Sequence, residues 1–285
     1  MDESINQLQE TLLQMLADFD EVCRKYDIKY TLFAGTALGA VRHQGFIPWD
    51  DDLDIIMLRS EYERFFELAA KDFSKNKYYV QKEYSPHWPM FFSKLRLNNT
   101  AAIEKYHPKD ALMHQGVYID IFPCDNLYHN RLAAQLQFAA SKVIIAKSLD
   151  KRGYETNSKI KKLFMAFCRF MPQKPLHRFC VNRKADHTQT VHSFFGCSSK
   201  YEKSIYPKKW FTEITYMQFG NGEYPVSAHY DELLTKLYDD YMVLPPAEAR
   251  KCKQHIAILD LNKNYTAYLD MQKNMKIDTF TRCIR

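Results

Sequence analysis

The sequence predicts an α/β (α+β) protein: a mixed sheet core flanked by helices, with a helical insertion. Three observations predict it. Across residues 4–26, Leu8, Leu12, Met15, Leu16, Phe19, Val22 and Cys23 recur at helical spacing. Strand-like segments rich in β-formers follow at 29–33, 53–58, 78–83, 90–97, 101–106 and 116–123. From 128 to about 200 the pattern turns helical, over 131–149 and 159–183, with Pro172 and Pro175 marking a break. The chain thus divides into a core at 1–127, a helical insertion at 128–200 and a C-terminal part at 201–285 that completes the core.

Composition narrows the class. The 285 residues are 46% hydrophobic and 26% charged, which suits a buried core and excludes general disorder. A net charge of +6 favours anionic partners such as nucleotides, phosphorylated glycans or a lipid surface. The seven cysteines stand singly with no C-x-x-C pair, against both a disulfide framework and a structural zinc site, so a reducing compartment is expected. The acidic start Met1-Asp2-Glu3-Ser4 leads into a polar helix rather than a signal peptide. The most apolar later stretch, 132–146, carries Gln135, Gln137, Ser141 and Lys142 and falls short of the ~20 apolar residues a span needs. A cytoplasmic protein is the expectation.

Taken in order, Ser4 and Gln7 have capping-box spacing at the start of the first helix, whose apolar stripe is expected to pack on the sheet. Gly35 and Thr36 fall at the next strand-to-helix turn, where glycine lets backbone amides approach a phosphate. Arg42 and His43, further along that helix, could neutralise the same phosphates, or form a plain surface pair. Pro48 ends the unit. Asp52 and Asp54 then open the strand at 53–58, and residues two apart on a strand share a face. Alternation puts Asp50 on their side and turns Asp51 away. Ser60 and Glu63 repeat the capping-box spacing. Lys94 and Arg96 share a strand face that either meets a pyrophosphate or lies exposed. Asp120 stands alone in the β-forming run Gly116-Val-Tyr-Ile-Asp-Ile-Phe-Pro123, where a carboxylate is costly to bury without a partner.

Four acids within five positions (Asp50, Asp51, Asp52, Asp54) repel one another unless a cation sits among them or the stretch is an exposed acidic loop. An oxygen-only donor set beside a phosphate-bearing substrate favours Mg²⁺ or Mn²⁺ over zinc. Asp52, Asp54 and Asp120 are the expected ligands, with Asp50 a further candidate and Asp120 a candidate general base.

The order of helix, strand, Gly-Thr turn, Asp-x-Asp strand and later single-Asp strand is the layout of the nucleotidyltransferase fold, an analogy that does not settle chemistry. The wording is more specific. The run from Gly35 through Gly39-Ala-Val-Arg-His and Gly45-Phe-Ile-Pro-Trp-Asp-Asp-Asp-Leu-Asp-Ile55 closely resembles the signature of the LicD family, bacterial phosphocholine and related phospho-alcohol transferases similar to the fukutin group. Phe92-Ser-Lys-Leu-Arg96, the run at 116–123 and the block from Phe219-Gly-Asn-Gly-Glu-Tyr-Pro to Pro245-Pro246 and His255 also resemble that family's motifs. One departure stands out: the family's Asp-Trp-Met reads Asp240-Tyr241-Met242 here.

The resemblance implies metal-dependent transfer of phosphocholine from a CDP-activated alcohol to a hydroxyl of a cell-surface saccharide or its lipid-linked precursor, with CMP leaving. Transfer of ribitol, glycerol or sugar phosphate, or of a nucleotide, is the alternative within the fold; a non-catalytic glycan-binding protein is the alternative outside it. Trp49, Tyr84, Trp88, Tyr118 and Tyr241 are candidates for a quaternary-ammonium cage. In the C-terminal block His255 and Glu223 are weaker site candidates, since a lone histidine beside a helix is more often structural.

Between Lys151 and Lys184 stand ten basic residues against one acid, Glu155, interleaved with Ile160, Leu163, Phe164, Phe167 and Cys168. Such a segment either lies on an anionic membrane or presents a solvated face of a packed helix. No recognisable nucleic-acid module accompanies it, so nucleic acid is not an expected partner.

Overall fold

The first helix, α1 (Glu3–Lys25), forms because one face carries the predicted stripe; Leu8, Leu12, Met15, Leu16, Phe19 and Cys23 are buried. Each fully buried aliphatic or aromatic side chain contributes roughly 1.5–3 kcal/mol, which fixes α1 on the sheet. The computed structural model describes residues 3–104, 113–152, 154, 156–183, 188–196, 200–246, 248, 250 and 255–270.

Strands β1 (Thr31–Leu32), β2 (Asp54–Leu58), β3 (Tyr78–Gln81), β4 (Ser93–Leu97) and β6 (Tyr118–Asn126) form the central sheet in the order β1-β2-β6-β4-β3. β5 (Ala101–Glu104) lies outside it. The β2–β6 pair is parallel and the others are antiparallel, giving the expected mixed sheet. β6 is buried along its whole length, as a central strand covered on both faces should be. Helix α2 (Ala34–His43) follows β1 at once, through Ala34 in the left-handed region at φ 48°. Helix α3 (Arg59–Arg64) follows β2 in the same abrupt way and runs on as a π-helical turn, Phe65–Ala69.

Both capping boxes are corrected by where the helices begin. α1 already includes Glu3, so Ser4 lies inside it. α3 starts at Arg59 with Leu58 in the cap position and no side-chain cap, so Ser60 is likewise internal. Strand 90–97 is shorter than expected because Pro86 and Pro89 shape a turn closed by the Ser85–Trp88 bridge. Residues 105–106, the predicted end of β5, lie outside the described residues, as do Glu155 and Lys184 of the basic run.

The stretch 128–200 supplies helices α4 (Arg131–Lys151), α5 (Lys159–Cys168) and α6 (Gln173–Val181), and then strand β7 (Thr190–His192), which pairs with the end of β6 and with β8 (Ile205–Pro207). A hairpin of β9 (Ile214–Phe219) and β10 (Gly222–Ser227), with helix α7 (Tyr230–Tyr238), sends Phe219, Tyr224, Val226 and Leu234 into the same core as α1. Strand β11 (Ile256–Asp260) pairs with β5.

At the β6–β7 junction His192 is buried and stacked on Phe194, ring centroids 3.9 Å apart. Its Nδ1 accepts from the Phe194 N–H, so its Nε2–H donates to the Cys180 carbonyl at 2.9 Å and the ring is neutral. Burial lowers its pKa from 6.5 to about 4, against the opposing pull of Asp125. Between those values the unfolded chain binds a proton that the native ring refuses, so stability rises with pH from about 4 to 6.5. His192→Gln is expected to flatten that slope by up to about 3 kcal/mol. Denaturant melts across this range check it; an unchanged slope contradicts it.

Candidate active site

Register builds the site. In the parallel β2–β6 pair Asp54 lies opposite Asp120, and in the antiparallel β4–β6 pair Asp120 lies opposite Lys94. Side chains at paired positions project to one face of a sheet. Asp54, Asp120 and Lys94 therefore stand in one row across three adjacent strands. The Lys94 Nζ is 2.8 Å from Asp120 Oδ1 and 3.5 Å from Glu104 Oε1.

Asp54 is held from behind. Its N–H donates to Thr36 Oγ1 at 2.8 Å, tying the first turn of α2 to the start of β2. Gly35 serves Asp50: a Cβ at this position would meet Asp50 Oδ2 at 2.8 Å, so only glycine lets that carboxylate lie against the start of α2. No side chain caps α2 at Phe33. Thr36→Val removes the acceptor and is expected to cost about 1–2 kcal/mol, with Thr36→Ser close to wild type. Equal denaturation midpoints for Val and wild type would contradict this role.

The acids differ in environment. Asp51 stays near Asp52, ahead of the strand where alternation would turn it away, and its Oδ2 accepts from the His255 and Ile256 N–H groups at 2.7 and 2.8 Å. That brings His255 to the site, with Nε2 3.6 Å from Asp52 Oδ2. Burial raises the Asp52 pKa to about 6; His255 opposes the shift, and Asp51 and Asp120 add to it. Burial raises Asp54 well above the usual carboxylate range, reinforced by Asp52, Asp120 and Asp50. Asp120 is raised by burial too, with Lys94 opposing.

Around Lys94 lies a second layer, in which Glu104 and Arg152 are residues that the sequence did not place at the site. Burial opposes ionisation of Glu104, yet Lys94, Arg152 and Arg96 hold its pKa down at about 2. Tyr118 Oη donates to Glu104 at 3.2 Å, and Arg152 Nη2 does so at 3.3 Å. The Lys94 ammonium stands 3.4 Å over the Tyr118 ring and 5.4 Å from that of Trp88. Of the five cage candidates, Trp88 and Tyr118 thus come together, but around this chain's own ammonium. Trp49 packs with His43 and Arg250, Tyr84 with Phe91, and Tyr241 donates to Asp231.

Other predicted residues fall elsewhere. Arg96 shares the face of Lys94, but it is buried and donates to Gln81 Oε1 and the Gly116 carbonyl; neither residue lies on an exposed strand face. Arg42 and His43 occupy the last turn of α2, the opposite end from Gly35 and Thr36, where Arg42 donates to His43 Nε2 and to the Tyr241 carbonyl. Glu223 is exposed on β10. A lone acid ending the apolar run Ala101-Ala-Ile-Glu104 is the same signal that marked Asp120, and it could have found Glu104.

The donor set suits a hard divalent cation: its oxygens are carboxylate, and burial and mutual repulsion keep Asp52 and Asp54 above their usual range, so full ionisation calls for a positive neighbour. Among the described residues no three acidic, histidine or cysteine side chains are already drawn into a metal cage.

With Asp52 just ahead of β2, Asp54 at its start and Asp120 in register on the adjacent strand, the mixed sheet follows the nucleotidyltransferase-type layout. Residues 27–134 match the family model described as LicD/FKTN/FKRP, nucleotidyltransferase domain. Over 263 residues the chain is 30% identical to the lipopolysaccharide cholinephosphotransferase LicD of Haemophilus influenzae, covering 87% of this chain and 95% of that one. Shorter alignments, 51% identical over 73 residues and 42% over 76, join about a quarter of the chain to about a quarter of uncharacterized proteins of Rickettsia prowazekii and Rickettsia typhi. The chain belongs to the LicD family.

Proposed function

We propose that this protein transfers phosphocholine from CDP-choline to a hydroxyl of a cell-surface saccharide or its lipid-linked precursor, releasing CMP. The row Asp54–Asp120–Lys94 carries the reading, because it brings two acids and a cation to one face where a phosphate-bearing substrate can meet them. Likeness to a relative named for cholinephosphate transfer supports the choice of group.

In this reading the acceptor oxygen attacks the phosphorus that bears choline, and the bond to the bridging oxygen breaks. CMP leaves with that electron pair. Asp52, Asp54 and Asp120 would hold Mg²⁺ or Mn²⁺, with Asp50 as a further ligand. The ion would screen the phosphate charge and lower the pKa of the attacking hydroxyl. Asp120, whose proton affinity burial raises, is the assigned base for the hydroxyl proton. Lys94, held between Asp120 and Glu104, supplies positive charge towards the diphosphate. Arg152 also lines a cavity of about 330 Å³ with Tyr84, His87 and Lys151, whose positive wall suits a phosphate-bearing substrate.

A donor screen tests this. CDP-choline, CDP-ribitol, CDP-glycerol and a nucleotide sugar are each incubated with protein, Mg²⁺ and a saccharide acceptor, and CMP is followed. CDP-choline is expected to be turned over fastest, and chelation is expected to stop the reaction. Turnover of another donor alone would reassign the transferred group; none with any donor would favour a glycan-binding protein.

A further inference from the structure

Helix α5 is mounted with its apolar stripe facing out. Ile160, Leu163, Phe164 and Phe167 recur at i, i+3, i+4 and i+7, the spacing of one helix face, and a buried stripe is the usual outcome. Here Ile160 is 83% exposed, Leu163 74% and Phe167 62%, and Phe170 just beyond is 88% exposed. The helix is anchored through a different face. Met165 and Cys168 are buried with Ala146, and Val143 and Leu149 pack on them. Asp150 of α4 pairs with Arg169, and Lys147 donates to the Arg169 and Met171 carbonyls. Ser158 caps the start by accepting from the Lys161 N–H. A helix held so firmly does not expose four large apolar side chains for want of packing.

Charge selects what covers the stripe. Lys159, Lys161 and Lys162 flank it on α5, and Lys174 and Arg178 extend the positive surface onto α6; all are exposed. No acid of the described residues 151–183 offsets them. Two copies meeting through this face would bring these cations together, which argues against self-association. We propose that α5 and Phe170 form a docking surface for an anionic lipid bilayer, the apolar stripe entering the headgroup–acyl boundary while the cations meet lipid phosphates. Among the described residues no helix is long and apolar enough to cross a membrane, so the contact is peripheral. The inference is independent of the transfer reaction, since binding is measured with no donor present.

Co-sedimentation of the full chain with vesicles tests it. Vesicles of phosphatidylcholine with about 30% phosphatidylglycerol are expected to bind at least tenfold more protein than phosphatidylcholine alone, with binding falling as salt rises. Phe167→Ser/Phe170→Ser and Lys161→Glu/Lys162→Glu should each lower binding at least about tenfold, the first by removing apolar contact and the second by reversing charge, while melting temperature stays unchanged. Equal binding to both vesicles, binding to neither, wild-type binding by both variants, or a dimer in solution abolished by the serine variant would overturn it.

Discussion

Asp52→Asn is expected to lower CMP release on the order of a thousandfold, the upper range for losing one preorganised electrostatic contact, while making the metal-free protein more stable. The sign follows from its pKa of about 6 against an ordinary 3.8. The folded state holds this proton more tightly than the unfolded chain, so stability falls as pH rises from about 4 to about 6 and the cost is fully present above. Asparagine removes it. The gain should be about 1–3 kcal/mol at pH 7 and vanish below about pH 4. Mg²⁺ should raise the melting temperature of wild type more than that of the variant. A variant less stable than wild type at pH 7 without metal would show that Asp52 serves packing rather than chemistry.

The second large effect lies behind the site. Arg59 is buried; its Nε and Nη2 reach Asp125 Oδ1 and Oδ2 at 2.6 and 3.1 Å, and Nη1 reaches Glu83 Oε1 at 2.6 Å. Arg59→Met leaves buried Asp125 and partly buried Glu83 without their cation and is expected to cost about 3–5 kcal/mol. Adding Asp125→Leu and Glu83→Gln should recover most of the loss, because the damage comes from stranded charge. Thermal melts read both results; a single variant within about 1 kcal/mol of wild type would contradict the account.

Arg59 and Asp125 also mark where sequence reading ends. Asp52 and Asp54 were legible because four acids crowd into five positions, and Asp120 because it breaks an apolar strand pattern; a buried charge needs a reason. The helix at 4–26 was legible through its period, and that at 131–149 through the length of a run without turn signals. Pairing register leaves no mark in a single strand, so nothing in Ser93-Lys-Leu-Arg-Leu97 placed Lys94 opposite Asp120 rather than in solvent. β7 and β11 are short and pair with partners distant in sequence, so their own residues carried little signal. Gly35 was read for a phosphate, whereas the close approach it permits in this structure is that of Asp50. His255 joins the site through a backbone bond to Asp51, two hundred positions away, which no local spacing could reveal.

The most direct test of the central claim uses CDP-choline labelled in its choline, Mg²⁺ and a saccharide acceptor, with wild type and Asp120→Asn assayed side by side. Wild type is predicted to release CMP in step with label entering the saccharide, and Asp120→Asn, shown by a cooperative melt to be folded at the assay temperature, to do neither. Label transfer undiminished in Asp120→Asn would contradict an active centre built on the row Asp54–Asp120–Lys94.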